Sequence, residues 1–122
     1  MATFPQLPTL RPLPIVGGVR RYELIEDLIH KGGVVAAGFI TDGASVPRPF
    51  WSIFPHDGGT LPAALIHDWD YLHTNGTRKG ADKRFLANMK RCGLAWIHRH
   101  IIYRAVRLGG GTSWRRYRRT EL

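Results

Sequence analysis

Glycine and proline residues divide the second half of the chain into three segments with helical sequence signals, and this division limits the possible folds more than any other feature. The first predicted helix covers about residues 61–73 and has Pro62 in its first turn, where proline is tolerated. The second covers about residues 80–92 and stops at Gly93, and the third covers about residues 94–108, before a run of three glycines. Three consecutive helices of this length predict a packed helical layer.

The first half of the chain predicts extended structure. Four prolines between residues 4 and 14 disfavour both helix and sheet, so residues 1–19 are predicted to form an extended arm that lies across its own domain or a partner. Residues 22–29 and 34–40, joined by a Lys-Gly-Gly turn, predict a β-hairpin. A short helix is predicted to begin near Pro47 and to end by about residue 54.

These elements predict an α+β fold, in which an N-terminal extended Pro-rich arm and a β-hairpin precede a short helix and three packed α-helices. We expect one domain over residues 20–111, with a basic tail over residues 112–122, because 122 residues suffice for a single core. The one cysteine excludes an internal disulfide. No apolar run approaches the ~20 residues of a membrane helix, and the first residues lack the pattern of a secretory signal, so we expect a cytoplasmic protein.

The excess of positive over negative charge lies in the last third of the chain. Residues 1–82 carry seven Lys or Arg and eight Asp or Glu, whereas residues 83–122 carry eleven Lys or Arg against Glu121 alone. This asymmetry predicts an anionic partner, either lipid headgroups, an acidic protein or nucleic acid, that binds the basic side chains from Arg99 to Arg119. The alternative is a solvated tail that only aids solubility.

The side chains that could carry out chemistry lie on the first two predicted helices. His67 and Tyr71 share a helical face because they are four positions apart. Asp82 lies on the apolar face of the second predicted helix, and this position predicts that its side chain faces His67. A carboxylate bonded to one imidazole nitrogen leaves the other to act as a base. Asp68 would then bind a cation such as Ca²⁺, with further oxygens from residues 38–44, Asp42 among them.

Two other interpretations of these side chains remain open. His67, Tyr71 and Asp82 could form a satisfied polar network that only locks two helices together, with Asp42 capping a turn. The adjacent His67 and Asp68 also occur in all-helical metal phosphohydrolases. Those enzymes need further His and Asp ligands on other helices, and the remaining candidates do not present a matching arrangement. These candidates are His56, Asp57, His98 and His100.

The third predicted helix carries an apolar stripe at helical spacing, which we expect to pack. Its members are Ile97, Ile101, Ala105 and Leu108, with Arg99, Arg104 and Arg107 largely off the stripe.

Several sequence blocks closely resemble a family of short proteins of unknown function that is carried by tailed bacteriophages and prophages. The blocks are FITDGASVPR at residues 39–48, AALIHD at residues 63–68 with Tyr71, Ala81-Asp82 with Phe85, and YRAVR at residues 103–107. The resemblance covers about residues 20–114. It implies a phage or prophage protein located in the virion or the host cytoplasm, with other virion proteins as partners.

A shorter resemblance, over about 25 residues, connects the two site helices to phospholipase A2, particularly the compact form in parvovirus capsid proteins. It implies that His67 is the general base, that Asp68 binds calcium, and that Asp82 and Tyr71 orient the histidine. The chain departs from that family in lacking its glycine-rich calcium loop and the disulfides of its secreted members.

Together these observations predict a phage accessory or virion-associated protein that hydrolyses an ester in the host envelope. One alternative is a non-catalytic tail or virion protein that binds neighbouring subunits through its arm and basic tail. A second alternative is a small inhibitor directed at an acidic partner in the host.

Overall fold

The computed structural model of the chain describes residues 8–18, 21–30, 33–41, 61–73 and 76–120. Over these residues the chain is an α+β fold, in which short strands precede a set of packed helices. This confirms the predicted class. The predicted short helix near residue 47 lies outside the described residues.

Five short strands form two antiparallel sheets. They are β1 (Leu10–Pro12), β2 (Tyr22–Leu24), β3 (Leu28–His30), β4 (Gly33–Val35) and β5 (Ile40–Thr41). One sheet has the order β1-β2-β5, and β3 and β4 form a separate hairpin. The predicted first hairpin strand is therefore divided into β2 and β3. The bend between them is held by Asp27, whose Oδ1 accepts a hydrogen bond from the backbone N–H of Ala37 at 2.7 Å.

The proline-rich arm contributes β1 and so lies across its own domain, which is one of the two predicted arrangements. Pro12 pairs with Tyr22 at the sheet edge, and the backbone N–H of Leu13 donates to the carbonyl of Arg21 at 2.9 Å. Proline lacks a backbone donor and is tolerated in an edge strand, where one side of the ladder is unpaired.

Four helices follow. They are α1 (Leu61–His73), α2 (Arg78–Arg91), α3 (Trp96–Gly109) and α4 (Gly111–Thr120). The start of α2 is set by Thr77, whose side-chain oxygen accepts a hydrogen bond from the N–H of Gly80 at 3.0 Å. The sequence pattern predicts a basic tail where α4 forms, and this helix packs against α1 and α3. No helix among the described residues is both long and apolar enough to cross a membrane.

Helix α1 lies between two apolar clusters and is buried on two sides. The helical cluster consists of Ala63, Phe85, Met89, Leu94, Ile102 and Val106. The second cluster joins α1 to the strands and consists of Leu24, Leu28, Val35, Phe39, Leu65 and Ile66. The polar residues in the middle of α1 are therefore held at the centre of the fold.

Helix α3 buries a different face from the predicted one. Its buried residues are Ile102, Ala105 and Val106, whereas Ile97 and Leu108 are exposed. The predicted packing of the stripe is therefore wrong, except at Ala105. The helix is apolar on two faces, and periodicity alone does not indicate which face packs.

Candidate functional site

The imidazole of His67 and the carboxylate of Asp82 meet between α1 and α2. His67 Nε2 lies 2.7 Å from Asp82 Oδ1, and both side chains are 0% exposed. The ring of Phe85 stacks on the imidazole with a centroid distance of 4.2 Å and an interplanar angle of 16°. The stacking and the hydrogen bond together fix the plane and the rotation of the imidazole.

Tyr71 completes the predicted trio. Its hydroxyl donates to Asp82 Oδ1 at 2.6 Å, so one carboxylate oxygen accepts from both His67 and Tyr71. Burial, followed by the hydrogen bond to Asp82, raises the pKa of Tyr71 far above its ordinary value. Tyr71 therefore remains a protonated hydroxyl that can donate across the neutral pH range.

Two arginines hold the other oxygen of Asp82. Arg107 of α3 donates from Nη1 to Asp82 Oδ2 at 2.7 Å, and Arg78 Nη1 lies 3.4 Å from the same oxygen. Arg78 also donates to the backbone carbonyls of Val106 and Arg107, at 3.0 and 3.2 Å. These bonds join α2 to the end of α3 and leave Asp82 with donors on both oxygens.

The electrostatics of the site favour an ionised Asp82. Burial raises the pKa of this carboxyl, but hydrogen bonds from His67, Tyr71 and Arg107 outweigh burial and lower the pKa below its ordinary value. An ionised Asp82 accepts the Nε2–H of His67, and the acceptor lone pair of a neutral imidazole is then on Nδ1. The Asp82 carboxylate therefore fixes both the tautomer and the orientation of the His67 ring.

The turn between α3 and α4 covers Tyr71. A Cβ atom added at Gly110 would lie 2.6 Å from the hydroxyl oxygen of Tyr71, so only glycine allows this close approach. The ring of Trp114 in α4 meets Tyr71 edge-on, with a centroid distance of 5.2 Å and an interplanar angle of 88°. Helix α4 thus forms part of the wall of the site.

Asp68, the first predicted calcium ligand, lies beside the site but is bonded to protein. Its Oδ2 accepts a hydrogen bond from the hydroxyl of Thr41 in β5, and the residue is 1% exposed. Asp42, the second predicted ligand, lies outside the described residues. Within the described ranges, no group of three or more His, Cys, Asp or Glu side chains could hold a metal ion. The described residues do not by themselves fit calcium, which prefers six to eight oxygens.

Asp70 forms a separate and weaker contact on α1. Arg84 Nε lies 3.0 Å from Asp70 Oδ2, an ion pair whose N–H is not directed at the oxygen. Burial raises the pKa of Asp70, and the positive charge of Arg84 offsets this only in part. Asp70 therefore differs from Asp82 in the sign of its pKa shift.

The structure brings together three of the five predicted site residues, His67, Tyr71 and Asp82, and places Asp68 one position away on α1. The sequence pattern did not indicate Arg78 or Arg107. Arg78 is four positions before Asp82 on α2, a spacing that is typical of helical ion pairs and could have revealed it. Arg107 comes from α3 and gives no local signal.

Residues 21–106 match a family described as protein of unknown function (DUF1353). The chain belongs to this family. The match covers the strands from β2 onward and includes His67, Asp82 and Arg78. The match ends one residue before Arg107 and excludes α4. Two parts of the site, the Arg107 bond to Asp82 and the Trp114 contact with Tyr71, therefore lie outside the matched residues.

A relative from Sinorhizobium fredii (strain NBRC 101917 / NGR234), the uncharacterized protein y4jT, is 34% identical over 74 residues. The aligned part covers 59% of this chain and 22% of the relative, so the chain corresponds to about a fifth of that protein. No solved structure matches the chain.

Proposed function

We propose that the chain is an ester hydrolase of the phospholipase A2 type, with His67 as general base and Asp82 as the residue that orients it. One observation carries this proposal, the 2.7 Å contact of His67 Nε2 with an Asp82 oxygen that also accepts the Tyr71 hydroxyl. The resemblance of the two helices to phospholipase A2 assigns the same roles to the same three positions.

In the proposed reaction, His67 takes a proton from water while the water oxygen attacks the ester carbonyl. The ester C–O bond then breaks, and the proton passes to the departing alkoxide, giving a carboxylic acid and an alcohol. Asp82 remains ionised and stabilises the imidazolium that forms. Calcium at Asp68 remains a separate prediction, and no step of this reaction depends on it.

The test is fatty-acid release from ester-linked phospholipid vesicles by the purified chain, with Ca²⁺ and with a chelator. We expect release by the natural chain and a loss of at least about 100-fold in His67→Gln, which removes the base. His98→Gln, an exposed substitution on α3, is the matched control and should retain the full rate. The hydrolase proposal is overturned if the folded natural chain releases no fatty acid in either condition, or if His67→Gln retains the rate.

A second candidate function is a non-catalytic packing module, and the complete burial of His67 and Asp82 favours it. In that case the network would join α1, α2 and α3, and the site would have no substrate. The two candidates differ in the fatty-acid assay, because the packing module predicts that His67→Gln alters stability without any activity to lose.

We further propose that the chain is a phage or prophage accessory protein that is present in the virion or acts in the host. The resemblance of the FITDGASVPR and AALIHD blocks to phage and prophage proteins supports this setting. Mass spectrometry of purified virions from an induced host tests it. Detection of the chain supports a virion role, and consistent absence from virions but presence in the cell lysate favours an inhibitor or another host-directed role.

A further inference from the structure

Helix α3 presents a stripe of three aliphatic residues and one arginine to solvent, on the side opposite its packed face. The outward stripe consists of Ile97, Ile101, Arg104 and Leu108, spaced as one face of a helix. Ile97 is 55% exposed and Leu108 is 90% exposed. The stripe extends over about 16 Å at the rise of an α-helix, and Trp96, 61% exposed, lies at its first turn.

The charged side chains of α3 and α4 are all cationic at neutral pH, apart from their histidines. Helices α3 and α4 contain no Asp or Glu. Arg104 lies within the stripe, and Arg115 and Arg116 are exposed on α4. A partner that covers the aliphatic side chains would therefore meet cations and no acidic side chain of these helices, so charge complementarity selects an anionic surface.

The aliphatic content of the outward stripe distinguishes among anionic surfaces. Nucleic acid offers phosphates for arginine and bases for tryptophan, but it has no counterpart for Ile97, Ile101 and Leu108. A bilayer with anionic headgroups offers both, because the headgroups bind arginine while isoleucine and leucine enter the acyl boundary.

We propose that the outward stripe of α3 is a docking surface for an anionic lipid bilayer, on which the helix lies parallel to the membrane plane. Binding does not depend on ester hydrolysis. It would, however, bring the chain to the class of substrate suggested above, and in that respect it extends the proposed function. None of the stripe residues belongs to the His67–Asp82 site.

The experiment is cosedimentation of the full chain with vesicles of ether-linked phosphatidylcholine, with and without ether-linked phosphatidylglycerol. Ether lipids have no acyl ester, so the measurement remains valid whether or not the chain is a hydrolase. We expect binding to the anionic vesicles that exceeds binding to the neutral ones and weakens with added salt. The double variant Ile97→Gln with Leu108→Gln should bind at least about tenfold more weakly, because two inserted aliphatic side chains are lost.

Ile29→Gln is the matched control, since Ile29 is 65% exposed on β3, and it should bind as the natural chain does. Circular dichroism should show that all variants are folded. Equal binding to neutral and anionic vesicles, or undiminished binding by the double variant, overturns the proposal. So does salt-sensitive binding to duplex DNA without vesicle binding, or a lipid-free dimer that the double variant abolishes.

Discussion

Asp82 connects all the other polar side chains of the site through its carboxylate. It is 0% exposed, and its two oxygens lie within hydrogen-bond distance of donors from Tyr71, His67, Arg107 and Arg78. A buried charge of this kind is stable only while its partners remain in place. Substitutions at Asp82 and at its partners should therefore have effects that differ in size and in pH dependence.

Asp82→Asn should lower the free energy of unfolding by about 2–3 kcal/mol, because the substitution leaves Arg78 and Arg107 without a counter-charge in a partly buried position. Urea unfolding followed by circular dichroism measures this change. Asp70→Asn on α1 is the control, because Asp70 has a single ion pair and a raised pKa. A change of less than about 0.5 kcal/mol in Asp82→Asn would contradict the dependence of the fold on this carboxylate.

The stabilisation by Asp82 should also depend on pH. Its pKa in the folded chain is below the ordinary 3.8, so its contribution is complete above the unfolded pKa and is lost as pH falls through the folded pKa. The difference in unfolding free energy between the natural chain and Asp82→Asn should therefore be constant from about pH 7 to 5 and shrink in more acidic solution. The pKa of Asp70 is raised, so the ionised form of Asp70 destabilises the folded chain, and protonation in acidic solution removes this destabilisation. A difference for Asp82→Asn that grows on acidification would contradict the lowered pKa of Asp82.

Arg107 is a positioning residue, and Arg107→Met should reveal that role. Loss of its 2.7 Å bond to Asp82 Oδ2 should raise the pKa of Asp82 and destabilise the chain by about 1–2 kcal/mol. Carboxyl ¹³C NMR titration measures the pKa, and urea unfolding measures stability. Arg104→Met, an exposed change on the same helix, should alter neither quantity. An unchanged Asp82 pKa in Arg107→Met would exclude the positioning role.

The turn between the helices α3 and α4 is closely packed against the site. A Cβ at Gly110 would lie 2.5 Å from the carbonyl oxygen of Val106 and 2.6 Å from the Tyr71 hydroxyl, which is held by Asp82. Gly110→Ala should therefore destabilise the chain by about 1–3 kcal/mol. Gly111→Ala is the neighbouring control. A Cβ there would lie 3.4 Å from the nearest atom, so we expect a neutral or slightly stabilising effect. Thermal unfolding compares the two, and equal melting temperatures would contradict the crowding at Gly110.

Local signals predicted the elements better than their packing. The predicted bounds of α1 rest on Pro62 in its first turn and on the Asn-Gly pair beyond its end. Helix α2 begins at Arg78, two residues before its predicted start, because Thr77 caps it. The buried face of α3 could not be predicted in this way, because Ile97 and Ile102 lie on different faces of the same apolar helix. Helix α4 could not be distinguished from a tail, since its first residue is a glycine and four of its ten residues are arginines.

In the candidate site, too, local sequence signals predicted some contacts, and tertiary packing determines the others. Helical spacing placed His67 and Tyr71 on one face, and the register of α2 directed Asp82 toward them. Arg107 could not be predicted, because its contact with Asp82 joins residues 25 positions apart and depends on how α3 packs on α2. Long-range contacts of this kind are set by tertiary packing and not by local sequence pattern.

In the molecule as a whole, the outward stripe of α3 and the His67–Asp82 site share no residue. The site lies between α1 and α2 and is completed by Arg107 of α3 and by the turn before α4, whereas Ile97, Ile101 and Leu108 of the outward stripe are exposed. This arrangement allows a surface that docks on an anionic bilayer to be altered without changing the site. The proposed hydrolase activity and the proposed docking together predict that the Ile97→Gln with Leu108→Gln variant hydrolyses a soluble ester at an unchanged rate and vesicle lipid more slowly. An equal loss on both substrates would contradict this separation.

The most direct measurement is the tautomer of His67, read from long-range ¹H–¹⁵N correlation spectra and assigned by comparison with His67→Gln. The structure predicts a ring proton on Nε2, donated to the Asp82 carboxylate, and a shift of that signal in Asp82→Asn. A neutral ring with its proton on Nδ1, or a spectrum that Asp82→Asn leaves unchanged, would contradict the orientation of the His67 imidazole by Asp82.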